Sequence, residues 1–411
     1  MPEHSGEPTT TQRAVFVSRQ AIYTPQLEVM AYTLDFHSGM TPQEEQEPGY
    51  QTLAQGLLTS FLEIGLEALV GPTPAFLPVT RGVLLLGYVD AFPPDRVVLA
   101  LPGTVTVDED LSEGLRAIAA RGYALALDGG LALEVPQPLM SCATFLTVDV
   151  SAVDRTTLAA HVASLRPYAV PLVALQVPTW EAFRDCRALG FAYFHGPFSC
   201  QPAPVAAPRL PTNRLALVQL LVQLQNPLST VTSLADLISQ DAVLSYRLLR
   251  AINTAYYGQV RPIASLPQAV RLLGLTAITA WTSLMLLAGN QDKPSELLTI
   301  ALVRAKMCEQ LGQVLVPAAT ASCFLVGLCS VLDALLDCPL TEVLQGLPLT
   351  EELRQALLAH TGICGTIVHS VLAYEHGNWQ EVLALGLEAD VVRDAYLAAL
   401  AWATRIRETL A

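Results

Sequence analysis

Short apolar runs alternate with longer amphipathic segments from residue 13 to residue 200. The short runs have the length of β-strands, and the segments between most of them have apolar residues at helical spacing. Repeated alternation of this kind predicts a parallel sheet, and about eight runs predict its closure into a (β/α)8-type barrel. The strand-like runs cover residues 14–19, 29–36, 75–79, 97–101, 123–127, 145–150, 170–175 and 191–194. The helix-like segments cover residues 52–70, 111–122, 156–166 and 179–190.

The alternation ends at a proline-rich stretch, CQPAPVAAPRLPTNR, at residues 200–214. Repeated proline is incompatible with a helix interior or a central strand, so this stretch is predicted to be a linker. Beyond it, apolar residues recur at helical spacing in segments such as AVLSYRLLRAIN, and the strand pattern is gone. We therefore predict a barrel domain over residues 13–200, a linker over 201–212 and an all-helical domain over 213–411.

Composition and charge limit where the protein is expected in the cell and what it is expected to bind. The residues are 52% hydrophobic, but no uninterrupted apolar run has the ~18–20 residues of a membrane span. The N-terminal sequence MPEHSGEPTTTQR lacks the basic and apolar regions of a signal peptide, so we expect a cytoplasmic protein with no membrane span. The formal net charge is −14 and no Lys/Arg cluster offsets it, so nucleic acid is not an expected partner.

The eight cysteines indicate neither a zinc site nor a disulfide framework. None forms a CxxC pair, and no histidine lies at zinc-finger spacing from any of them. The cluster Cys364, His369, Glu375 and His376 does not place three ligands on one helix face. We expect most cysteines to be small apolar fillers in a reducing compartment, and we expect no metal and no other cofactor.

Four stretches of the first domain carry a family resemblance. They are FVSRQAIYTPQLEVMAYTLDF, YALALD, LTVDV and LVALQVPTWEAFRDCRALGFAYFHGPF. With them this domain resembles the EAL family of cyclic di-GMP phosphodiesterases, in the branch that has an HDOD domain behind the barrel. The stretches LADLISQDAVLSYRLLRAINTAYYG and IASLPQAVRLLG give the second domain a sharper similarity to HDOD, an all-helical relative of HD phosphohydrolases. The resemblance implies a degenerate EAL-like barrel followed by an HDOD domain.

The chain departs from the EAL pattern at most positions of that family's charged site, which include its metal ligands. The residues found there are Thr33, Pro78, Ala100, Gly129, Thr147, Leu175, Pro178 and His195. Asp128 alone is clearly kept. Asp149 lies two residues after Thr147, which stands where the family has a lysine. The resemblance therefore implies a vestigial EAL site of Thr33, Asp128, Gly129, Asp149 and His195. One carboxylate and one imidazole neither neutralise nor orient two divalent cations, so the sequence predicts no phosphodiesterase activity.

The helical domain shows the same loss. An HD phosphohydrolase has an adjacent His-Asp pair on a helix, and the corresponding helix here is predicted over residues 326–336, VGLCSVLDALL. Ser330 and Val331 stand where the pair would be. HDOD domains commonly lack these ligands, so the sequence predicts no metal in this domain either.

Three features have a structural and a functional interpretation from the sequence alone. Asp128 could be a ligand, but a strand-end acid more often caps a helix or a backbone amide. His195 could face a pocket, but a satisfied, half-buried histidine is commoner. The residues Asn253, Tyr256, Tyr257 and Arg261 form a candidate interaction surface, and packing within the domain is the alternative for each.

The hypothesis from the sequence is a catalytically inactive bacterial signal-transduction adaptor. It would act through protein partners of the HDOD domain and would bind cyclic di-GMP weakly or not at all, because two phosphates need compensating positive charge. The alternative is a non-hydrolysing sensor that binds cyclic di-GMP or another small nucleotide at the barrel mouth.

Overall fold

The structure is a computed structural model that describes residues 16–37, 64–85, 87–105, 108–129, 140–203, 293–345 and 349–410. Its first part is a closed barrel in which strands are hydrogen-bonded in sequence order and the eighth pairs with the first. The strands are β1 Phe16–Tyr23, β2 Val29–His37, β3 Ala75–Pro78, β4 Val97–Leu101, β5 Ala124–Asp128, β6 Phe145–Asp149, β7 Leu172–Leu175 and β8 Tyr193–His195. This confirms the predicted barrel class and all eight strand-like runs, with boundary shifts of a few residues.

One strand breaks the predicted all-parallel arrangement. β1 runs antiparallel to both β2 and β8, whereas the pairs from β2 round to β8 are parallel. The reason is the short connection between β1 and β2, residues 24–28, since a parallel pair needs a crossover of a dozen or more residues. The turn is closed by a hydrogen bond from Leu27 N to Thr24 O at 2.9 Å, and Leu27 has a left-handed φ of 67°.

Helices follow the parallel strands and cover the barrel. They are α1 Leu66–Val70, α2 Arg81–Leu85, α3 Glu109–Ala120, α4 Arg155–Leu165 and α5 Trp180–Leu189. The three longer helices begin at side chains that accept a hydrogen bond from the first turn, namely Asp108, Asp154 and Thr179. These caps fix where the chain turns from the strand ends into the outer layer.

The second described part is helical. Its helices are α6 Ser295–Leu315, α7 Thr320–Cys329, α8 Leu332–Leu336, α9 Leu340–Gln345, α10 Glu351–Ala359, α11 Gly362–Glu375, α12 Trp379–Leu383 and α13 Ala389–Leu410. This confirms an all-helical region behind the barrel. The single helix predicted over residues 326–336 is wrong, because α7 ends at Cys329 and α8 begins at Leu332. Ser330 lies between the two helices, and its hydroxyl accepts a hydrogen bond from Arg304 Nη1 at 3.2 Å.

Residues Glu351–Glu375 are long and apolar enough, by length and composition, to cross a membrane. In the structure they form two helices, α10 and α11, separated at His360, which has a left-handed φ of 53°. Half of the most apolar window is buried inside the protein, which is typical of core helices. The absence of a membrane span stays a prediction.

Side chains from alternate strand positions fill the barrel. An apolar cluster of Ile22, Ala31, Phe76, Val98, Ala126 and Val173 occupies the interior. The rings of Phe76 and Phe145 are 5.3 Å apart and those of Phe145 and Tyr193 are 5.7 Å apart. The interior is therefore a packed core, and polar chemistry is confined to its end.

Candidate functional site

The carboxyl ends of the parallel strands, where barrel enzymes place their catalytic groups, hold most of the residues that the sequence singled out. Asp128 ends β5, Asp149 ends β6 and His195 ends β8. Thr33 of β2 belongs to the same group because it contacts His195. We refer to these four residues as the barrel-mouth group.

His195 and Thr33 are in contact across β1. Thr33 Oγ1 lies 3.3 Å from His195 Nε2 and donates to the Gln20 carbonyl, also at 3.3 Å. The histidine is 5% exposed, and its Nδ1 has no hydrogen-bond partner among the described residues. The predicted half-buried, satisfied histidine is therefore wrong: His195 is buried and only one ring nitrogen has a partner.

Burial sets the protonation of His195. It lowers the pKa of the imidazole to about 4, because the charged form loses its hydration, and the nearby Asp149 opposes this only in part. At neutral pH the ring is therefore neutral. It can accept or donate one hydrogen bond, but it adds no positive charge to the mouth.

Asp128 and its neighbour Gly129 are held by close packing. A Cβ at Gly103, in the turn after β4, would lie 2.9 Å from Asp128 Oδ1, so the glycine at position 103 leaves room for the Asp128 carboxylate. A Cβ at Gly129 would lie 2.9 Å from Val148 Cγ2 and 3.2 Å from Leu165 Cδ1. The backbone of Gly129 also donates to the Thr147 carbonyl at 2.6 Å. Even a Cβ at position 129 would thus require a shift in the packing of α4 against β6.

Asp149 is exposed and its carboxylate serves the local backbone. Oδ1 accepts a hydrogen bond from Ser151 N at 2.9 Å, which turns the chain after β6. The neighbouring position Thr147 is buried, and its hydroxyl donates to the Leu127 carbonyl at 3.4 Å. The Asp149 carboxylate therefore stabilises the turn after β6.

The EAL resemblance implies divalent metals, which require several oxygen ligands around one or two ions. Over the described residues no three His, Cys, Asp or Glu side chains come together in a way that could hold a metal ion. Asp128 and Asp149 are on neighbouring strands, but Pro78 and Ala100 supply no side-chain donor on β3 and β4. The donor set at the barrel mouth therefore does not fit a pair of divalent cations.

A second polar centre lies where the helical region meets the barrel, around Glu296 of α6. Glu296 Oε1 lies 3.1 Å from Arg19 Nη2 on β1, and Oε2 accepts a hydrogen bond from Tyr32 Oη on β2 at 2.8 Å. Arg407 of α13 approaches the same carboxylate at 3.6 Å. We call this set of Arg19, Tyr32, Glu296 and Arg407 the junction cluster. It joins two barrel strands to α6 and α13, the first and last of the helices described behind the barrel.

The junction cluster is withdrawn from solvent. The Arg19 and Glu296 side chains are 9% and 4% exposed, and Arg19 Nη1 donates to the Leu69 carbonyl at 2.6 Å. Burial and the negative charge of Glu296 together raise the pKa of the Tyr32 hydroxyl. The Arg19 guanidinium also lies 4.2 Å from the centre of the Tyr32 ring. A buried charge with this many partners is costly to separate.

A second ion pair lies within the helical region, with side chains 6% and 20% exposed. The Arg304 guanidinium of α6 donates hydrogen bonds to both carboxylate oxygens of Glu375 on α11, at 2.7 to 2.9 Å. The Glu375 carbonyl in turn accepts a hydrogen bond from Gln20 Nε2 on β1 at 2.8 Å. A cavity of about 150 Å³ lies between these groups and is lined by both ion pairs. The barrel wall and the helical region thus share one polar interface.

Aromatic packing closes this interface beside the polar groups. Phe16 of β1 stacks on Trp379 with ring centres 5.0 Å apart, and Tyr374 meets Phe16 edge-on at 5.9 Å. The Tyr374 hydroxyl donates to the Val17 carbonyl at 2.9 Å. These rings are large apolar surfaces removed from water, and they add to the attraction between the two parts.

The sequence did not identify the junction cluster, although a signal was present. Arg19 lies within the apolar strand FVSRQAIY and Arg304 within the apolar helix LLTIALVRAK, and a charge inside an apolar run indicates a buried ion pair. The candidate surface Asn253, Tyr256, Tyr257 and Arg261 lies outside the described residues. The cluster of Cys364, His369, Glu375 and His376 is not assembled: Glu375 binds Arg304, and His369 lies 3.1 Å from Glu381.

The HDOD domain family matches residues 208–332, and the described part of this match, from residue 293, lies directly against the barrel. The predicted resemblance to the EAL–HDOD signalling family is confirmed. The barrel and the helical region of the chain are the two parts of that architecture. The domain boundaries predicted at residues 200 and 213 stay predictions.

Two relatives match nearly the whole chain. The uncharacterised protein YuxH of Bacillus subtilis is 27% identical over 399 residues, which cover 94% of this chain and 98% of YuxH. The cyclic di-GMP phosphodiesterase CdgJ of Vibrio cholerae is 26% identical over 416 residues, covering 97% of this chain and 95% of CdgJ. One of the two relatives is therefore linked to cyclic di-GMP.

Solved structures with similarity to the chain include BlrP1 of Klebsiella pneumoniae in complex with manganese and cyclic di-GMP. It is 19% identical with a TM-score of 0.37, and the match covers 48% of this chain and 56% of that chain. The YkuI protein of Bacillus subtilis, with an EAL domain in complex with cyclic di-GMP and calcium, is 14% identical with a TM-score of 0.38. That match covers 64% of this chain and 73% of YkuI.

The sequence prediction that the chain is not an enzyme is wrong, because CdgJ, a relative over nearly the whole chain, is a cyclic di-GMP phosphodiesterase. The prediction rested on single positions matched to the EAL pattern. Such matching tests each expected ligand in turn, whereas the similarity to CdgJ extends over both domains.

Proposed function

We propose that this EAL–HDOD chain is a signal-transduction protein that acts through protein partners of its helical domain, with the barrel coupled to that domain as one body. The observation that carries the proposal is Glu296, which is bound at once by Arg19 and Tyr32 of the barrel and by Arg407 of the last helix. A change in either domain that moves one of these groups must be accommodated by the others.

The energetics of the junction cluster support coupling. Removing one partner of a buried ion pair typically costs about 3–5 kcal/mol, because the other charge is left without compensation. The domains are therefore held in a preferred arrangement, and a ligand or partner that binds better to another arrangement would shift this balance. An adaptor needs a coupling of this kind between the part that receives a signal and the part that passes it on.

Helix α11 supplies a second connection. Its last residues contact β1 through the Tyr374 hydroxyl and the Glu375 carbonyl, while Arg304 holds the Glu375 carboxylate from within the helical region. Residues that contact the barrel and α6 at the same time are suited to pass displacements between them.

We place the partner-binding surface at Asn253, Tyr256, Tyr257 and Arg261, because Tyr and Arg are frequent at the energetic centres of interfaces. We also place the protein in the cytoplasm, since its eight cysteines are free thiols, as is usual in a reducing compartment. Cyclic di-GMP itself is a weak ligand in this proposal, because the neutral His195 adds no positive charge at the barrel mouth.

The test begins with partners captured from the native cytoplasm on the full-length protein and identified by mass spectrometry. Binding of each purified partner is then measured to the wild type, to a Tyr256→Ala/Tyr257→Ala/Arg261→Ala variant and to Glu296→Gln. The proposal expects the triple variant to lose binding and Glu296→Gln to change the affinity. A matched control is Glu309→Gln, which removes the partly exposed ion pair with Lys306 on the same helix. Equal binding by all four folded proteins contradicts the proposal.

Hydrolysis of cyclic di-GMP is a second candidate function, favoured by the similarity to CdgJ. Asp128 is the mouth residue on which it would depend most, as the acid kept from the EAL pattern. The assay follows linear product with Mg²⁺ or Mn²⁺ for the wild type and Asp128→Asn, with Asp149→Asn in parallel. Turnover that disappears in Asp128→Asn supports this candidate. Turnover that persists unchanged in both variants excludes the barrel mouth as its source.

A further inference from the structure

Two buried cysteines of the helical region are in contact. Cys323 of α7 and Cys364 of α11 have sulfur atoms 3.0 Å apart, although they are 41 residues apart in the chain. Their exposures are 0% and 6%, so both belong to the core between the helices. Neither sequence spacing nor helix periodicity indicates this pairing.

The surrounding backbone holds the two sulfurs together. A Cβ at Gly312 of α6 would lie 2.9 Å from Cys323 Sγ, so the backbone of α6 closes one side of this thiol. Cys364 is the third residue of α11, whose first turn follows Thr361. A disulfide has an S–S bond of about 2.05 Å, so the sulfurs need to approach by only about 1 Å to form one.

The environment also favours reaction at Cys364. A hydrogen bond from Cys323 lowers the pKa of the Cys364 thiol, and burial opposes this only in part. The position near a helix N-terminus acts in the same direction, because the helix dipole stabilises a thiolate there. Cys364 is also the more exposed of the two, and the thiolate is the reactive form.

From this geometry we propose that Cys323 and Cys364 form a reversible disulfide that makes the helical domain responsive to redox conditions. Cytosolic disulfides are usually transient and regulatory, which suits a pair of free thiols in contact. The oxidant class is a low-molecular-weight disulfide, RSSR.

The reaction proceeds in two exchange steps. The Cys364 thiolate attacks one sulfur of RSSR, which forms a mixed disulfide and releases RS⁻. The Cys323 sulfur then attacks the Cys364 sulfur, forms the intramolecular bond and releases the second RS⁻. The two thiol protons pass to the released thiolates, so two cysteines and RSSR give one protein disulfide and two RSH. Excess dithiol reverses both steps.

A cross-link at this point would act on the contact with the barrel. Helix α11 begins beside Cys364 and ends at Tyr374 and Glu375, which contact β1. Tying its first turn to α7 restricts the whole helix relative to α6 and α7. Oxidation therefore limits the movements available to the junction between the domains.

The experiment uses the full-length protein equilibrated with oxidised glutathione at mildly alkaline pH, followed by alkylation and peptide mass spectrometry. The expected result is a loss of two hydrogen atoms in mass, one cross-linked peptide pair containing Cys323 and Cys364, and a Tm several degrees higher than that of the reduced protein. Cys364→Ser should abolish all three changes. Cys329→Ser is the matched control, since Cys329 is also buried, at 5% exposure, and should behave as wild type.

Three outcomes overturn the proposal. One is the absence of a cross-link after equilibration with excess oxidant, while the free thiols remain quantitatively alkylated after denaturation. Another is a cross-link that maps to a different cysteine pair. The third is a stable glutathione adduct on Cys364 that does not proceed to the disulfide, which would show that Cys323 cannot reach it.

Discussion

Glu296, the second residue of helix α6, lies 3.1 Å from Arg19 in the middle of the first barrel strand. The two residues are 277 positions apart in the chain, and their side chains are almost fully buried. The pair therefore exists only when both parts of the chain are folded and docked. It makes the stability of the barrel depend on the helical region.

We predict that Glu296→Gln lowers the free energy of unfolding by about 3 kcal/mol, because Arg19 keeps its charge in a buried site and loses its counter-ion. The amide oxygen still accepts a hydrogen bond, which keeps the cost at the lower end of the usual range. Urea unfolding monitored by circular dichroism measures the change. Glu309→Gln on the same helix removes a partly exposed pair and should cost less than about 1 kcal/mol. Equal effects of the two variants would contradict a dominant role of the junction cluster.

The protonation of His195 should make the stability of the protein depend on pH. The folded-state pKa of about 4 lies below the ordinary value of 6.5, so the unfolded chain binds the proton first as the pH falls. The stability from the neutral ring is complete above pH 6.5 and is lost progressively down to pH 4. For a pKa difference of about 2.5 between the unfolded and folded states, the loss of unfolding free energy is about 3 kcal/mol.

The measurement compares urea unfolding of the wild type and His195→Gln between these two pH values. The variant should lose less stability than the wild type over the interval. An NMR titration of the His195 ring provides an independent reading. A ring that titrates near 6.5 in the folded protein would show that the imidazole is not buried as described.

The close packing of α7 against α6 leaves no room for a side chain at Gly327 of α7. A Cβ there would lie 2.5 Å from the Arg304 carbonyl oxygen and 2.8 Å from Ala305 Cα, both backbone atoms that cannot move independently. We predict that Gly327→Ala destabilises the protein by about 2–3 kcal/mol through overpacking. Gly82 of α2 is the control, since its nearest neighbour is 3.9 Å away, and Gly82→Ala should be neutral or slightly stabilising. Thermal unfolding of both variants decides this, and an unchanged Tm for Gly327→Ala would be inconsistent with the packing.

The sequence predicted the barrel well because its signal is local. Each strand is a short apolar run, and the helix starts at Asp108, Asp154 and Thr179 are visible as capping residues in the chain. The antiparallel direction of β1 was missed, because the βα repeat was assumed to begin with the first strand. The short connection between β1 and β2 has no room for a helix and indicates an antiparallel pair.

The candidate site was harder to predict because it depends on distant contacts. His195 could be placed on a strand end, but its burial depends on packing from the whole mouth. The pairing of Arg19 with Glu296 and that of Cys323 with Cys364 join helices and strands whose relative positions no periodicity specifies. Enzyme activity was misjudged for a related reason: matching single residues to a family pattern does not capture similarity that extends over the entire chain.

The contact between Tyr374 and β1 should contribute to domain coupling on its own. The hydroxyl donates to the Val17 carbonyl at 2.9 Å in a buried site. Tyr374→Phe keeps the ring and removes this donor, so we predict a loss of about 1–2 kcal/mol in unfolding free energy. Combined with Glu296→Gln, the effects should be non-additive, because the Tyr396 side chain contacts both the Tyr374 ring and the Arg19 backbone. Strict additivity of the two substitutions in urea unfolding would show that the two contacts are not energetically linked.

Hydrogen–deuterium exchange on the full-length protein tests most directly whether the two domains form one coupled body. The comparison is between the wild type, Glu296→Gln and Gly327→Ala, read at peptides from β1 and from α13, which carries Arg407. Coupling through the junction cluster predicts faster exchange in both β1 and α13 for Glu296→Gln, and changes centred on α6 and α7 for Gly327→Ala. Exchange in Glu296→Gln that rises only within α6, with β1 protected as in the wild type, would contradict the coupling of barrel and helical domain.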